Sequence, residues 1–323
     1  MITSQNASST GYQSIPQVIR DFYSKEVFRR AQPRLRFLQF TKVRRDLQAQ
    51  RGKAVTFVKY DDIDGGGEIE EDEDIETKAL SASEITITVK EQYNAISVTE
   101  LAIRTALIDQ MEEASTALAN DLAKTIDRQL RDAVLSTTNI IYGNGAATLA
   151  AIDASSVFNA RTVKDAVELL ANNNTPKING EYYICFATVH QLRTLRDDPD
   201  WISANTYGSQ NQRPLYIGEA GMYEGVVFIE TTQMPKRHVT NRVKLNGAWL
   251  ESITTVYGSG FVPTYGYEAV IFGENALGWG IALDPEMRDD GVVQLGRKHT
   301  LGWYGIWGTK LLDNDYCVKI LTT

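Results

Sequence analysis

The sequence is short of the residues on which most enzyme and metal chemistry depends. Only two cysteines occur, Cys185 and Cys317, too few and too far apart for a disulfide framework or a zinc site. Both are expected to be reduced thiols. His190, His238 and His299 are the only histidines, and none has a second histidine, a cysteine or a carboxylate at metal-ligand spacing on a shared helix; His190, beside Leu192 and Leu195, reads as structural. There is no Gly-x-Ser-x-Gly nucleophile elbow. Gly52-Lys53-Ala54 resembles the end of a phosphate-binding loop without its upstream glycine or its Ser/Thr, and Gly143-Asn144-Gly145 and Gly278-Trp279-Gly280 lack the third glycine of a dinucleotide fingerprint. Both glycine pairs are read as turns. No run of about 18 uncharged apolar residues exists, which excludes a helical membrane span. The opening MITSQNASSTGYQS has neither the basic cluster nor the apolar stretch of a secretory signal, so folding in the cytoplasm is expected. Acidic residues outnumber basic ones, 41 to 33, which argues against a generally basic nucleic-acid binder. No catalytic residue, cofactor or metal is expected.

What the chain does have is enough apolar material for a core: 43% of its 323 residues are hydrophobic, suiting one elaborated domain or two smaller ones. The first 14 residues are polar and predict an arm that is mobile or ordered by a partner. Pro16 suits a helix start, and Ile15, Val18, Ile19, Phe22 and Tyr23 recur at helical spacing until Pro33. Val55 and Phe57, then Ile85, Ile87 and Val89, alternate with polar neighbours and predict two strands of an extended arm. Ser97 with Glu100, and Asp109 with Glu112, have capping-box spacing. Between Asp109 and Leu135, apolar residues including Leu118, Leu122, Ile126 and Leu130 recur every three or four positions, predicting a spine helix about 40 Å long.

Beyond Gly145 the pattern predicts helices at Thr162–Ala171 and Thr188–Arg196 alternating with strands beginning at Tyr182 and Val226, a compact α/β or α+β unit. The last third, rich in Gly, Tyr and Trp, reads as strands with tight turns ending at Tyr316–Leu321. Asp284, Glu286, Asp289 and Asp290 lack the spacing of a calcium loop and are read as a solvated or partner-facing loop.

Charge is segregated along the chain. Nine basic residues (Arg29, Arg30, Arg34, Arg36, Lys42, Arg44, Arg45, Arg51 and Lys53) stand against Asp46 alone. Ten acids follow between Asp61 and Glu76 with no base among them, including Glu68, Glu70, Glu71, Asp72, Glu73 and Asp74. Set at the end of an extended arm, these acids invite pairing with the basic strip of a neighbouring copy, although exposed charge runs need no partner. The candidate contact residues are Arg29, Arg30, Arg34, Arg36, Arg44 and Arg45 on one side and Glu68, Glu70, Glu71, Asp72, Glu73 and Asp74 on the other.

The order of these elements, with YYICFATVHQLRTLRDDPDW, GEAGMYEGVVFIETTQMP, FVKYDDI and VTELAIRT in sequence, resembles the major capsid proteins of tailed bacteriophages, and FVKYDDI and VTELAIRT resemble a podovirus-type subgroup. The resemblance covers nearly the whole chain. It implies an α+β capsid fold: an N-terminal arm and basic helix (1–45), an extended loop with peripheral-domain strands (46–100), a spine helix (101–150), an axial domain (151–265) and closing strands of both domains (266–323). It further implies pentamers and hexamers of a virion shell around double-stranded DNA contacted without sequence reading, a portal protein, and a decoration protein as a further candidate. The arm begins almost at Met1, so a separate scaffolding protein is implied; no Lys and Asn pair is matched to inter-subunit crosslinking. Two rival readings are an encapsulin-like cellular compartment, distinguished by cargo-enzyme genes nearby, and a cytoplasmic hydrolase without a readable motif, distinguished by small particles in electron microscopy.

Overall fold

The computed structural model describes residues 35–46, 52–60, 68, 77, 79–105, 110–148, 152, 155–208, 219–238, 244–245, 248–249, 265–294 and 297–323. The arm, the helix expected between Pro16 and Pro33, the Asp109 cap and nearly all of the acidic tip fall outside these residues.

In chain order, β1 (Lys42–Arg44), β2 (Ala54–Tyr60), β3 (Ala82–Thr88) and β4 (Lys90–Thr99) precede α1 (Glu100–Thr105) and α2 (Gln110–Val134). Next come β5 (Ile140–Tyr142), α3 (Ala160–Asn172), β6 (Tyr183–Ala187), α4 (Val189–Arg196) and α5 (Pro199–Gly208). After β7 (Glu219–Tyr223), β8 (Val226–Glu230), β9 (Lys236–His238), β10 (Lys244–Leu245) and β11 (Ala248–Trp249), the chain closes with β12 (Tyr265–Phe272), β13 (Leu277–Val293), β14 (Lys298–Leu311) and β15 (Cys317–Thr322). Two compact units result, one from the described parts of 1–38, 43–127 and 279–309, the other from those of 39–42, 128–278 and 310–323.

In the first unit a sheet of order β1-β13-β14-β4 accompanies a separate β2-β3 ribbon. The sequence period of α2 places Leu118, Leu122 and Ile126 on one stripe, and all three are buried. Its 25 residues run about 37 Å. Asp121 on the same helix accepts from the Trp303 indole nitrogen at 3.0 Å and from the Asn94 amide at 2.8 Å, fixing α2 against the β14 and β4 edge of the sheet.

The second unit centres on a sheet of order β5-β15-β12-β6-β8-β7, with β9 beside β12. β6 is apolar throughout and fully buried because it is a central strand covered on both faces, parallel to β8 and antiparallel to β12. One face packs Phe158, Val163 and Leu170, Leu192 and Leu195, and Trp201 against Cys185, Phe228, Ile271 and Ile320. The other face stacks Phe186 on Phe272 at 5.9 Å, with Phe40 edge-on. Local chemistry sets the helix starts. The Asn159 side chain accepts from the Thr162 N–H at 3.0 Å, and Thr188 with Gln191 forms a capping box that begins α4.

Three expectations need correction. Ser97 lies inside β4, paired with Thr300, and it is Thr99 whose hydroxyl accepts from the Ala102 N–H to start α1. Gly278 and Gly280 are strand residues of β13 and not a turn: a Cβ at Gly280 would sit 2.9 Å from Val55, so the glycine permits close approach of β2. Asp284, Glu286, Asp289 and Asp290 likewise lie on β13 and not on a loop. Gly143-Asn144-Gly145 does turn the chain, with Asn144 and Gly145 both at positive φ, 55° and 69°.

Candidate assembly surface

The β2-β3 ribbon pairs Ala54 with Thr88 through to Tyr60 with Ala82. Near its root the inward residues Val55, Phe57 and Ile87 are buried. Toward its far end the apolar residues are exposed, Val58 at 45%, Tyr60 at 63% and Leu80 at 59%. A two-stranded ribbon is marginal in water without a covering surface, so this chain leaves uncovered the part of its hairpin that most needs cover. Glu68, beyond it, is exposed, whereas Glu70, Glu71, Asp72, Glu73 and Asp74 lie outside the described residues.

Of the six candidate arginines, Arg29, Arg30 and Arg34 also lie outside them. The Arg36 and Phe37 backbone N–H groups donate to the buried Asp127 carboxylate at 2.9 and 3.0 Å, tying this segment to α2. Arg44 and Arg45 have partners in their own unit. Arg44 donates to the Thr56 carbonyl, lies 5.2 Å over the Phe57 ring and stands 3.8 Å from Asp46. Arg45 pairs with Asp284 at 3.5 Å. Both pairs are about half exposed, so their contribution to the fold is small, and their outer faces remain open to a neighbour.

The remaining polar groups are largely absorbed into the fold. His190 stacks on Tyr267 at 4.5 Å. His299 places Nε2 3.0 Å from Asp289 and Nδ1 3.3 Å from the Met111 sulfur. Burial pushes the Cys185 and Cys317 thiols well above the ordinary range, so neither is a reactive thiolate.

Sequence reasoning missed the exposed apolar residues. Seven of the ten large ones among the described residues belong to the first unit, including Tyr93 at 76%, Leu101 at 73% and Ile103. Tyr93 lies ahead of the one stretch of β4 that alternates, Ile96 to Thr99, so periodicity did not mark it as an exposed aromatic.

Residues 123–283, about half of the chain, match the family described as phage capsid protein. No curated protein matches the chain by sequence. Among solved structures, the capsid of Ralstonia phage GP4 superposes with a TM-score of 0.66 at 16% identity, over 88% of this chain and 87% of that one. The capsid asymmetric unit of cyanophage Pam1 gives 0.65 at 17% identity over 98% and 96%. The head structure of Helicobacter pylori bacteriophage KHP40 gives 0.63 at 14% identity over 88% and 87%. At these identities the likeness establishes a shared fold along nearly the whole chain.

Proposed function

We propose that the chain is a phage capsid protein of the major, head-forming kind, and that it tiles as pentamers and hexamers into an icosahedral shell enclosing double-stranded DNA. The family match across residues 123–283, on a chain whose fold follows phage capsids nearly end to end, is the observation that carries this reading. In it the unit built on the β5-to-β7 sheet is the axial domain meeting around capsomer centres. The unit holding α2 as far as Asp127 and the β2-β3 ribbon is the peripheral domain with its extended loop. The role is structural and not enzymatic, and the subunit folds in the host cytoplasm before joining the virion.

The acidic tip, Glu68 to Glu76, docks on a basic surface of the adjacent copy, with the strip from Arg29 to Lys53 as its counterpart. The uncovered apolar half of the hairpin supports this, since a neighbour's surface would cover it. Long-range attraction steers such subunits together while like charges suppress wrong contacts. A separate scaffolding protein and a portal complete the head, a decoration protein is a further candidate, and packaged DNA is held weakly and in a salt-sensitive way, without base reading. Negative-stain microscopy of the expressed protein, with and without the neighbouring scaffolding gene, tests the reading: closed shells are expected, and uniformly small particles under both conditions would contradict it.

A further inference from the structure

We propose that His299 is a proton-operated latch on the start of α2, closed when its imidazole carries two protons and released from the helix when it loses one. The proposal concerns the single subunit and stands apart from the shell reading above. β14 and β4 are antiparallel, with His299 opposite Val98 and Trp303 opposite Asn94. Strand alternation puts His299 and Trp303 on one face of β14, the face that meets α2. There Trp303 reaches Asp121 and His299 reaches Met111. The spacings match, since four strand residues rise about 13 Å and ten helical residues about 15 Å.

The ring stands between two acceptors. Its Nε2 is 3.0 Å from Asp289 Oδ1, and its Nδ1 is 3.3 Å from the Met111 sulfur. An ionised carboxylate only accepts hydrogen bonds, and a thioether sulfur has no hydrogen to give. The Asp289 side chain is 8% exposed, and its Oδ1 also takes the Gly291 N–H at 2.8 Å. A neutral imidazole has one N–H and one bare nitrogen, so it serves one of these acceptors. Only the imidazolium serves both.

The two arms of the latch are unequal. A carboxylate is much the stronger acceptor, and leaving it unsatisfied where water has little access is costly. On losing a proton the ring therefore keeps the hydrogen on Nε2, toward Asp289, and turns the bare Nδ1 lone pair against the sulfur. The Met111 contact is the one given up. The other charges nearby do not replace the lost proton. β4 presents the uncharged Val98 opposite the ring, and Lys298 points to the other face by alternation. Arg297 is exposed, and Glu100, opposite it, is paired with Arg104 at 2.7 Å. On β13, Arg288 is paired with Glu286 at 2.6 Å and Asp290 is exposed; on α2, Glu112 and Glu113 are exposed. Exposed charges act weakly at such range.

Imidazole changes charge between about pH 5 and 8. At the acid end α2 is pinned to β14 at two points, Met111 and Asp121. At the alkaline end the Trp303 contact to Asp121, which does not involve this proton, holds alone, and the first turn of α2 loosens.

The test has two arms, both on the full chain as dispersed subunit. With nitrogen-15-labelled histidine, and His299→Gln to assign the signal, nuclear magnetic resonance follows the ring nitrogens from about pH 5 to 8. Both should carry protons at the acid end and Nε2 alone at the alkaline end. In parallel, hydrogen exchange is followed at the Ala114 and Ser115 amides, which close the first turn of α2, with intrinsic exchange rates divided out. Protection there should fall about threefold to tenfold as pH rises, while protection around Asp121 stays level. Met111→Leu, which keeps the volume and removes the acceptor, should abolish the fall. A ring that holds one proton throughout, a neutral ring protonated on Nδ1, unchanged protection in the unsubstituted chain, an equal fall around Asp121, or an undiminished fall in Met111→Leu would each overturn the latch. The nitrogen measurement needs no change at Met111, so it decides the matter even where that variant fails to fold.

Discussion

Replacing Leu122 by Ala tests whether α2 is the spine of the first unit. Leu122 is 1% exposed and sits between Leu118 and Ile126, both fully buried, on the inward stripe. The substitution removes three buried carbon groups, worth about 2.4 kcal/mol at roughly 0.8 kcal/mol each. The flanking side chains are anchored one turn away on the same helix and cannot collapse fully into the space, so the residual cavity brings the total to about 3–4 kcal/mol. For a domain of this size that corresponds to a fall in melting temperature on the order of 10 °C. Circular dichroism of the dispersed subunit reads it out, with Lys124→Ala as control, an exposed position on the same helix expected to change stability by less than about 0.5 kcal/mol. A melting temperature within about 2 °C of wild type for Leu122→Ala would show that the stripe does not hold the unit together.

Neutralising the tip, with Glu70, Glu71 and Glu73 replaced by Gln and Asp74 by Asn, should lower particle yield and flatten its salt response; wild-type yield across salt concentrations would mean that the tip is merely solvated. Gly308→Ala should destabilise the first unit by about 1–3 kcal/mol in denaturant melts, because a Cβ there would lie 2.4 Å from the Thr88 backbone carbonyl and push β3 away; an unchanged midpoint would count against that packing. Burial raises both cysteine pKa values in the folded state, which therefore keeps protons the unfolded chain loses. Stability should accordingly be unaffected by the thiols below about pH 8 and fall as pH rises past the unfolded value of about 8.5. A Cys185→Ala, Cys317→Ala variant with the same decline would refute that assignment.

The helices and the central strands were legible because their burial follows sequence period. The Leu118, Leu122 and Ile126 spacing gave α2 to within a residue or so at each end, and the apolar run from Tyr183 to Ala187 gave β6. The β2-β3 ribbon was legible for the same reason, through Val55, Phe57 and Ile87. Ser97 misled because its capping spacing is satisfied equally well by a strand residue, and only tertiary pairing with Thr300 decides the matter. Gly278 and Gly280 misled because a glycine that admits a neighbouring strand looks in sequence like one that turns the chain. The candidate surface was legible as charge but not as geometry. Arg44 and Arg45 meet Thr56, Asp46 and Asp284 within one chain, Asp284 being far away in sequence. The exposed Tyr93 lies ahead of the part of its strand that alternates, Ile96 to Thr99.

The most direct test of the account is a cryo-electron microscopy reconstruction of assembled particles at a resolution that traces side chains. The account predicts rings of five and six copies meeting through the unit built on β5 to β8. It also predicts that the β2-β3 hairpin of each copy lies across its neighbour, with the acids from Glu68 to Glu76 against that neighbour's basic residues. Closed particles in which every hairpin folds back on its own chain, or in which the acidic tip faces solvent throughout, would contradict it.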